Sequence, residues 1–149
     1  MLSTDALARL ADYQAEIVDL LDQVAPLLSG TAAERQSDLA HLRWRMVRTL
    51  RAYQVFKHHE IFDALAQSGS PAQAARAKAL KARCMAVDTA FRAHVTRWSA
   101  TDVAASWQAY LDAAAAMSET LRRHVADERA SITLLLAGTH RTRRPAAQA

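Results

Sequence analysis

The sequence contains few of the residues that interrupt helices or cross-link chains. Among its 149 residues are three glycines, three prolines and one cysteine, Cys84. A single cysteine excludes a disulfide within the chain. Hydrophobic residues make up 51% of the sequence, and such a chain with so few helix breakers favours long helices over strands and hairpins. We therefore predict an all-α protein.

The sequence also lacks a long hydrophobic run and an N-terminal targeting signal. Its most apolar stretches, 113–117 and 132–137, are far shorter than the roughly 20 residues of a membrane-spanning helix. Residues 1–5 contain neither a basic region nor the start of an apolar segment. These features predict a cytoplasmic protein without a membrane span, and the chain length fits one domain.

The basic residues are not gathered into one stripe. The formal net charge is +4, but arginines and acids alternate along most of the chain, and only 140–144 is a compact basic cluster. The arginines within 43–51 would spread around a helix, so we do not expect nucleic-acid binding. The sequence has no glycine-rich phosphate loop, zinc-ribbon spacing or nucleophile elbow. We therefore expect no enzyme, and we assign no catalytic residue.

Three short breaks divide the sequence into helical runs. The four predicted runs are 4–28, 32–67, 71–98 and 102–137. Thr31 and Ser70 each precede a Glu or Gln by three residues, which is the spacing of a capping box at the start of a helix. Thr101 or Ser99 is expected to cap the last run, and Gly138 is expected to end it.

The short connections predict how the helices are arranged. Short links place consecutive helices side by side and antiparallel. We therefore predict an antiparallel up-down-up-down four-helix bundle over residues 1–138. Residues 139–149 are basic and lack apolar periodicity, so we predict a mobile C-terminal tail.

Three charged or titratable residues interrupt the apolar stripes of the predicted helices. Lys57, His124 and Glu128 occupy positions where the three- and four-residue spacing points inward. Buried charge is costly unless it is paired or bound to a metal. His124 and Glu128 lie four residues apart on one helical face, so both can reach the same point in the core. This pair is typical of a metal site in a bundle and also of a simple ion pair, and both interpretations stay open.

Two segments resemble a known family. LRRHVADER (121–129) is similar to the closing His-x-x-x-Glu helix of the hemerythrin-like, or HHE cation-binding, domains. YQVFKHHEIFDAL (53–65) is similar to their second-helix pattern, His-x-x-x-Glu-[Asp/Glu] followed by an apolar-aromatic-Pro-x-Leu ending. The resemblance covers about residues 7–137. It implies a hemerythrin-like four-helix bundle with a di-iron centre held by histidines and carboxylates.

The resemblance also implies that most of the family's metal ligands are replaced in this chain. Tyr53 stands at the second-helix histidine and Lys57 at the glutamate. The third-helix histidine falls at Cys84, and the first-helix histidine falls at Gln14 or the adjacent Tyr13. Only His124 and Glu128 remain as standard ligands.

Lys57 brings the positive charge that a metal would otherwise supply, and it has no lone pair to offer when protonated. We hypothesise that Lys57 pairs with Glu128 near His124, with Tyr53 hydrogen-bonded alongside. The predicted core polar site contains Tyr13, Gln14, Tyr53, Lys57, Cys84, His124 and Glu128. We expect no metal and no other cofactor in it.

Three functions are compatible with these residues. The first is a non-catalytic binding, sensory or regulatory module for a small ligand or a protein partner. The second is an iron protein, di-iron or mono-iron, that uses His124, Glu128, Cys84 and Tyr53 for oxygen, nitric oxide or iron handling. The third is a helical module that forms homo-oligomers through an exposed patch of tryptophans, for which the candidates are Trp44, Trp98 and Trp107.

The depth of Cys84 and His124 in the bundle places a condition on this site. Cys84 lies about 16 residues before a connection near residue 100, and His124 lies about 24 residues after it. Their distances from the connection therefore differ by about eight residues, or roughly 12 Å of helical rise. They converge only if the connection after Trp98 is longer than the capping signals indicate and runs toward Trp107. A last helix that began at Asp102 would separate them.

Overall fold

The chain is helical throughout the part that the structure describes. The structure is a computed structural model that describes residues 4–143, without the side chains of Ser68 and of residues 136–143. The helices are α1 (Thr4–Val24), α2 (Ala32–Phe56), α3 (Asp63–Ser68), α4 (Pro71–Ala100) and α5 (Trp107–Arg143). A 3₁₀ turn (Ala25–Leu28) follows α1, and a π turn (Lys57–Phe62) joins α2 to α3. No strand occurs over residues 4–143, which confirms the all-α prediction with four helical runs.

The predicted caps of the second and third runs are confirmed. The Thr31 hydroxyl accepts a hydrogen bond from the Glu34 backbone N–H at 3.3 Å, at the start of α2. Ser70 and Gln73 form a reciprocal capping box at the start of α4, in which each side chain accepts from the other residue's backbone N–H. These bonds satisfy N–H groups that a helix cannot pair internally, so they fix where both helices begin.

The second run differs from the single regular helix that we predicted. Its inward positions Tyr53, Lys57, Ile61 and Leu65 recur every four residues, and on an α-helix each such step drifts by about 40°. The chain contains a π turn at this point, in which the Asp63 N–H bonds to the carbonyl of residue 58. Such π turns inside helices are frequent at functional sites. Here the turn begins at Lys57, which is buried.

The predicted start of the last helix at residue 102 is wrong, because α5 begins at Trp107. Thr101 instead ends α4, and its hydroxyl donates to the Arg97 carbonyl at 2.6 Å. The connection 101–106 is held in place by Val103, which is buried with an exposure of 6%. Neither Thr101 nor Ser99 therefore caps the last helix. This longer connection is the one that the convergence of Cys84 with His124 requires.

The predicted end of the last helix at Gly138 is also wrong. Helix α5 continues through this glycine to Arg143. A glycine inside a helix costs only about 1 kcal/mol relative to alanine, so it does not end a helix by itself. Residues 144–149 of the predicted tail lie outside the described residues.

The four helical runs pack in a ring around a shared core. Helix α1 contacts α2 and α5, and α4 contacts α3 and α5. The main core cluster is built from residues of all these helices. A second cluster lies around the connection after α4 and contains Leu39, Trp98, Val103, Tyr110 and Ala114. Among the described residues, no helix has the length and apolar character needed to cross a membrane.

Candidate functional site

A buried ion pair forms the centre of the polar site. Lys57, the first residue of the π turn, has an exposure of 0%. Its Nζ donates to both oxygens of the Glu128 carboxylate on α5, at 2.8 Å to Oε1 and 2.9 Å to Oε2. Glu128 is buried as well. The predicted pairing of Lys57 with Glu128 is therefore confirmed, and it joins the second helical run to the last.

Tyr53 extends this pair toward α1. Its hydroxyl donates to Glu128 Oε1 at 2.9 Å and accepts from Gln14 Nε2 at 3.1 Å. Arg129 Nε donates in turn to Gln14 Oε1 at 3.2 Å. The Lys57 ammonium also lies over the Tyr53 ring, 3.9 Å from its centroid, which is a favourable cation–π geometry. Tyr53 thus contacts both partners of the ion pair.

Gln14 and Tyr13, the two residues of α1 predicted to belong to the site, have different environments. Gln14 is buried with an exposure of 1% and belongs to the hydrogen-bonded network. Tyr13 is half-buried, and its ring packs against Tyr53 and Phe56 at centroid distances of 5.8 and 5.3 Å. The position next to Tyr53 in the network is therefore held by Gln14, and Tyr13 supports the site from the side.

Cys84 on α4 also contacts the Lys57 ammonium. Lys57 Nζ donates to Cys84 Sγ at 3.0 Å, and the Cys84 thiol donates to Gln54 Oε1 at 2.6 Å. We did not predict Gln54, because it lies one residue after Tyr53 and outside the apolar stripe. The only sequence signal for it is its position three residues before Lys57, on a neighbouring part of the same face.

His124 completes the site on α5. Its Nε2 lies 3.2 Å from Glu128 Oε1, with no aligned hydrogen-bond partner among the described residues. One donor atom each from Cys84, His124 and Glu128 lie within 4.8 Å of one another. Cys84 is 16 residues before the end of α4 at Ala100, and His124 is 17 residues after the start of α5. This equal depth is what brings them together.

The contacts set the charge of each group. Burial lowers the pKa of His124, but its interactions with the Cys84 sulfur and the Glu128 carboxylate outweigh this effect and raise the pKa to about 9. Burial raises the pKa of Glu128, and the neighbouring His124 and Lys57 more than reverse this, so the pKa falls below its ordinary value. Burial and the Glu128 charge raise the pKa of Tyr53 well above its ordinary value, which keeps its hydroxyl protonated as a donor.

These residues do not fit the di-iron centre that the resemblance implies. Over the described chain, the metal-ligand types converge in one group of three, Cys84, His124 and Glu128. The Lys57 ammonium lies within 3.0 Å of two of these three donors and engages both oxygens of Glu128. Metal–ligand bonds of about 2.0–2.3 Å to the same atoms would put a cation against this ammonium. The site therefore already contains its cation.

The other histidine-rich segment is a surface feature. Glu60 pairs with Arg9 at 2.9 Å, and both side chains are more than two-fifths exposed. His59 is exposed and His58 is half-buried, with its ring near Phe62. The three consecutive residues 58–60 do not share one binding point.

The predicted tryptophan patch is wrong. Trp98 is buried, at 2% exposure, in the second core cluster. Trp107 is half-buried, and its Nε1 donates to the Gly30 carbonyl at 3.0 Å. Only Trp44, at 48%, is exposed among the three. Two of the tryptophans thus anchor packing where α4 and α5 are connected.

Comparison with protein-family models, curated proteins and solved structures gives no match to this chain.

Proposed function

We propose that this protein is a hemerythrin-like, antiparallel up-down-up-down four-helix bundle. The ring of contacts among the four runs supports this arrangement, as do the short connections at 29–31 and 69–70. The positions that the resemblance assigns to ligands add a second line of support. These positions lie on all four helical runs and meet in one buried network: Gln14 on α1, Tyr53 and Lys57 on the second run, Cys84 on α4, and His124 with Glu128 on α5.

We further propose that the bundle is metal-free and acts as a non-catalytic binding, sensory or regulatory module. The observation that carries this proposal is the position of Lys57 Nζ, at 2.8 and 2.9 Å from the two Glu128 oxygens and 3.0 Å from Cys84 Sγ. A protonated lysine supplies a positive charge to the carboxylate, as a metal would, but it offers no open coordination position for a substrate. A cytoplasmic location agrees with a single, unpaired buried thiol.

The experiment for this proposal exchanges the charge at Lys57. Lys57→Glu removes the ammonium and adds the carboxylate that the family has at this position. Iron binding is measured by titration of the purified protein, followed by elemental analysis after gel filtration. We expect the variant to bind iron more tightly than the wild type, because the introduced carboxylate would join the three existing donors.

The matched control is Lys81→Glu, which makes the same charge change in a partly exposed pair with Asp63. It should leave iron binding at the wild-type level. Equal iron binding by the wild type and Lys57→Glu would contradict the proposal, provided that both remain helical by circular dichroism.

A second candidate function is a mononuclear iron protein for oxygen, nitric oxide or iron handling. The convergence of Cys84, His124 and Glu128 within 4.8 Å favours it. Such an ion requires Lys57 to move away from Glu128, and Tyr53 would have to lose a proton that its surroundings hold firmly. Stoichiometric iron with a visible charge-transfer band in the wild type would favour this second function.

A further inference from the structure

Lys57 and Cys84 form a contact that the ion pair alone does not require. Lys57 Nζ and Cys84 Sγ are 3.0 Å apart, and both side chains are fully buried. The Cys84 thiol hydrogen points to Gln54 Oε1, 2.6 Å away. The sulfur lone pairs are therefore free to face the lysine nitrogen. An amine that becomes nucleophilic once it gives up a proton and an oxidisable sulfur are thus held within hydrogen-bonding distance of each other.

The Cys84 sulfur lies among polar groups although it is buried. Lys57 Nζ donates to it, the Gln54 amide oxygen accepts from its thiol, and a ring nitrogen of His124 lies within 4.8 Å of it. These polar neighbours distinguish Cys84 from a cysteine that is packed only against apolar side chains.

A small cavity lies beside three neighbours of the Cys84 sulfur. Gln54, Lys57 and His124 line it, whereas Cys84 does not, and its volume of about 10 Å³ is no more than one water molecule fills. Hydrogen peroxide reaches the sulfur only if these side chains move slightly, and disulfides such as oxidised glutathione are far larger. We therefore take hydrogen peroxide as the oxidant.

We propose that Cys84 and Lys57 form a peroxide-responsive site in which oxidation joins the two side chains through a sulfur–nitrogen bond. This inference rests on the proposed metal-free function and gives it an input signal. It names hydrogen peroxide as the substrate and the Cys84–Lys57 pair as the modification site.

The first step oxidises the sulfur. Cys84 Sγ attacks one oxygen of hydrogen peroxide, the O–O bond breaks, and an S–O bond forms. The thiol proton leaves with the second oxygen as water, so that Cys84 becomes a sulfenic acid. Peroxide is reduced by two electrons and the sulfur is oxidised by two.

The second step joins the side chains. Lys57 gives one proton to Glu128, and the neutral Nζ attacks the Cys84 sulfur. The S–N bond forms, the S–O bond breaks, and the hydroxyl leaves as water with a second proton from Nζ. Sulfenic acids condense with nitrogen in this way to give sulfenamides, which thiols reduce back. Lys57 loses its charge and Glu128 gains a proton, so the ion pair between them is lost and at most one N–H remains on Nζ for a hydrogen bond.

The test uses the full chain treated with hydrogen peroxide and digested with trypsin without a reductant. In the linked protein, trypsin cannot cleave after Lys57. We expect residues 52–76 joined to 84–92, with a mass two hydrogens below the sum of the two peptides. Treatment with dithiothreitol should release both peptides. Because the chain is unaltered, this result does not depend on how well a variant folds.

Two variants separate the steps. Lys57→Met should give no linked peptide, and its sulfenic acid should persist and react with dimedone several-fold more than that of the wild type. Cys84→Ser should give neither product. Peroxide treatment that yields only sulfinic acid at Cys84, a link that retains an oxygen atom, or no change at Cys84 would overturn the inference.

Metal analysis of the same sample, taken before the peroxide is added, keeps the two proposals distinct. A metal-free protein that forms no link disproves the peroxide site and leaves the metal-free function standing. A metal-loaded protein disproves the proposed function itself.

Discussion

Lys57 and Glu128 are joined by two hydrogen bonds in the middle of the protein, although both side chains are at most 2% exposed. A pair of this kind gains Coulomb energy but loses the hydration of both ions, so its net contribution is small. Its remaining hydrogen-bonding groups are satisfied by Tyr53 and Cys84. The loss of either partner is consequently far more damaging than the pair is stabilising.

The first prediction follows from removing the ammonium. Lys57→Met removes the charged end of the side chain, keeps most of its length and leaves the Glu128 carboxylate with His124 as its remaining charged neighbour. We expect the free energy of unfolding to fall by about 3–5 kcal/mol in chemical denaturation. Lys81→Met, at the partly exposed pair with Asp63, should change it by about 1 kcal/mol or less. Equal effects of the two variants would contradict the buried pair.

The second prediction concerns replacement of both ions. In Lys57→Met/Glu128→Leu no charge of the pair is left buried, and apolar side chains of similar volume fill the space. We expect the double variant to be more stable than either single variant by about 1–3 kcal/mol. The measurement is a double-mutant cycle of denaturant midpoints. Additive losses would show that the two side chains do not interact.

The third prediction concerns the Tyr53 hydroxyl. Tyr53→Phe removes the donor to Glu128 and the acceptor for Gln14 while keeping the ring. We expect a loss of about 1–3 kcal/mol, because two buried polar groups lose a partner. Tyr13→Phe, whose hydroxyl lies outside this network, should stay within about 0.5 kcal/mol of the wild type. Thermal or urea unfolding checks both values.

The fourth prediction is a pH dependence. The pKa of His124 is raised from 6.5 to about 9, so its contribution to stability is fully present below pH 6.5 and is lost as the pH rises through about 9. The pKa of Glu128 is lowered from 4.5, so its contribution is present above pH 4.5 and is lost as the pH falls through the lowered pKa. We expect the unfolding midpoint to be highest between pH 4.5 and 6.5. His124→Gln should remove most of the decline between pH 6.5 and 9.

The sequence was sufficient to predict four helical runs, the starts of α2 and α4, and the ion pair. The caps at Thr31 and Ser70 are local, since each depends on residues three positions apart. The pair of Lys57 with Glu128 could be predicted because a charged residue at an inward position must find a partner. Both inferences rest on rules that operate within one helix or on its inward face.

The parts that could not be predicted depend on packing between helices. The connection before α5 is longer than its capping residues suggest, because Val103 is buried with Trp98 in the second core cluster. Gln54 enters the site through its contact with Cys84, and this contact is set by how α2 and α4 pack. The buried Val103 leaves no local pattern in the sequence, and the only local signal for Gln54 is its position three residues before Lys57. The π turn left one faint signal, the repeated four-residue spacing from Tyr53 to Leu65.

The central claim is that the Lys57 ammonium holds the place of a metal. Elemental analysis of the wild-type protein, produced in iron-rich medium and purified without a chelator, tests this claim most directly. We predict iron and other transition metals far below one ion per chain, with no visible charge-transfer absorption. One or two iron ions per chain, retained through gel filtration, would contradict the account.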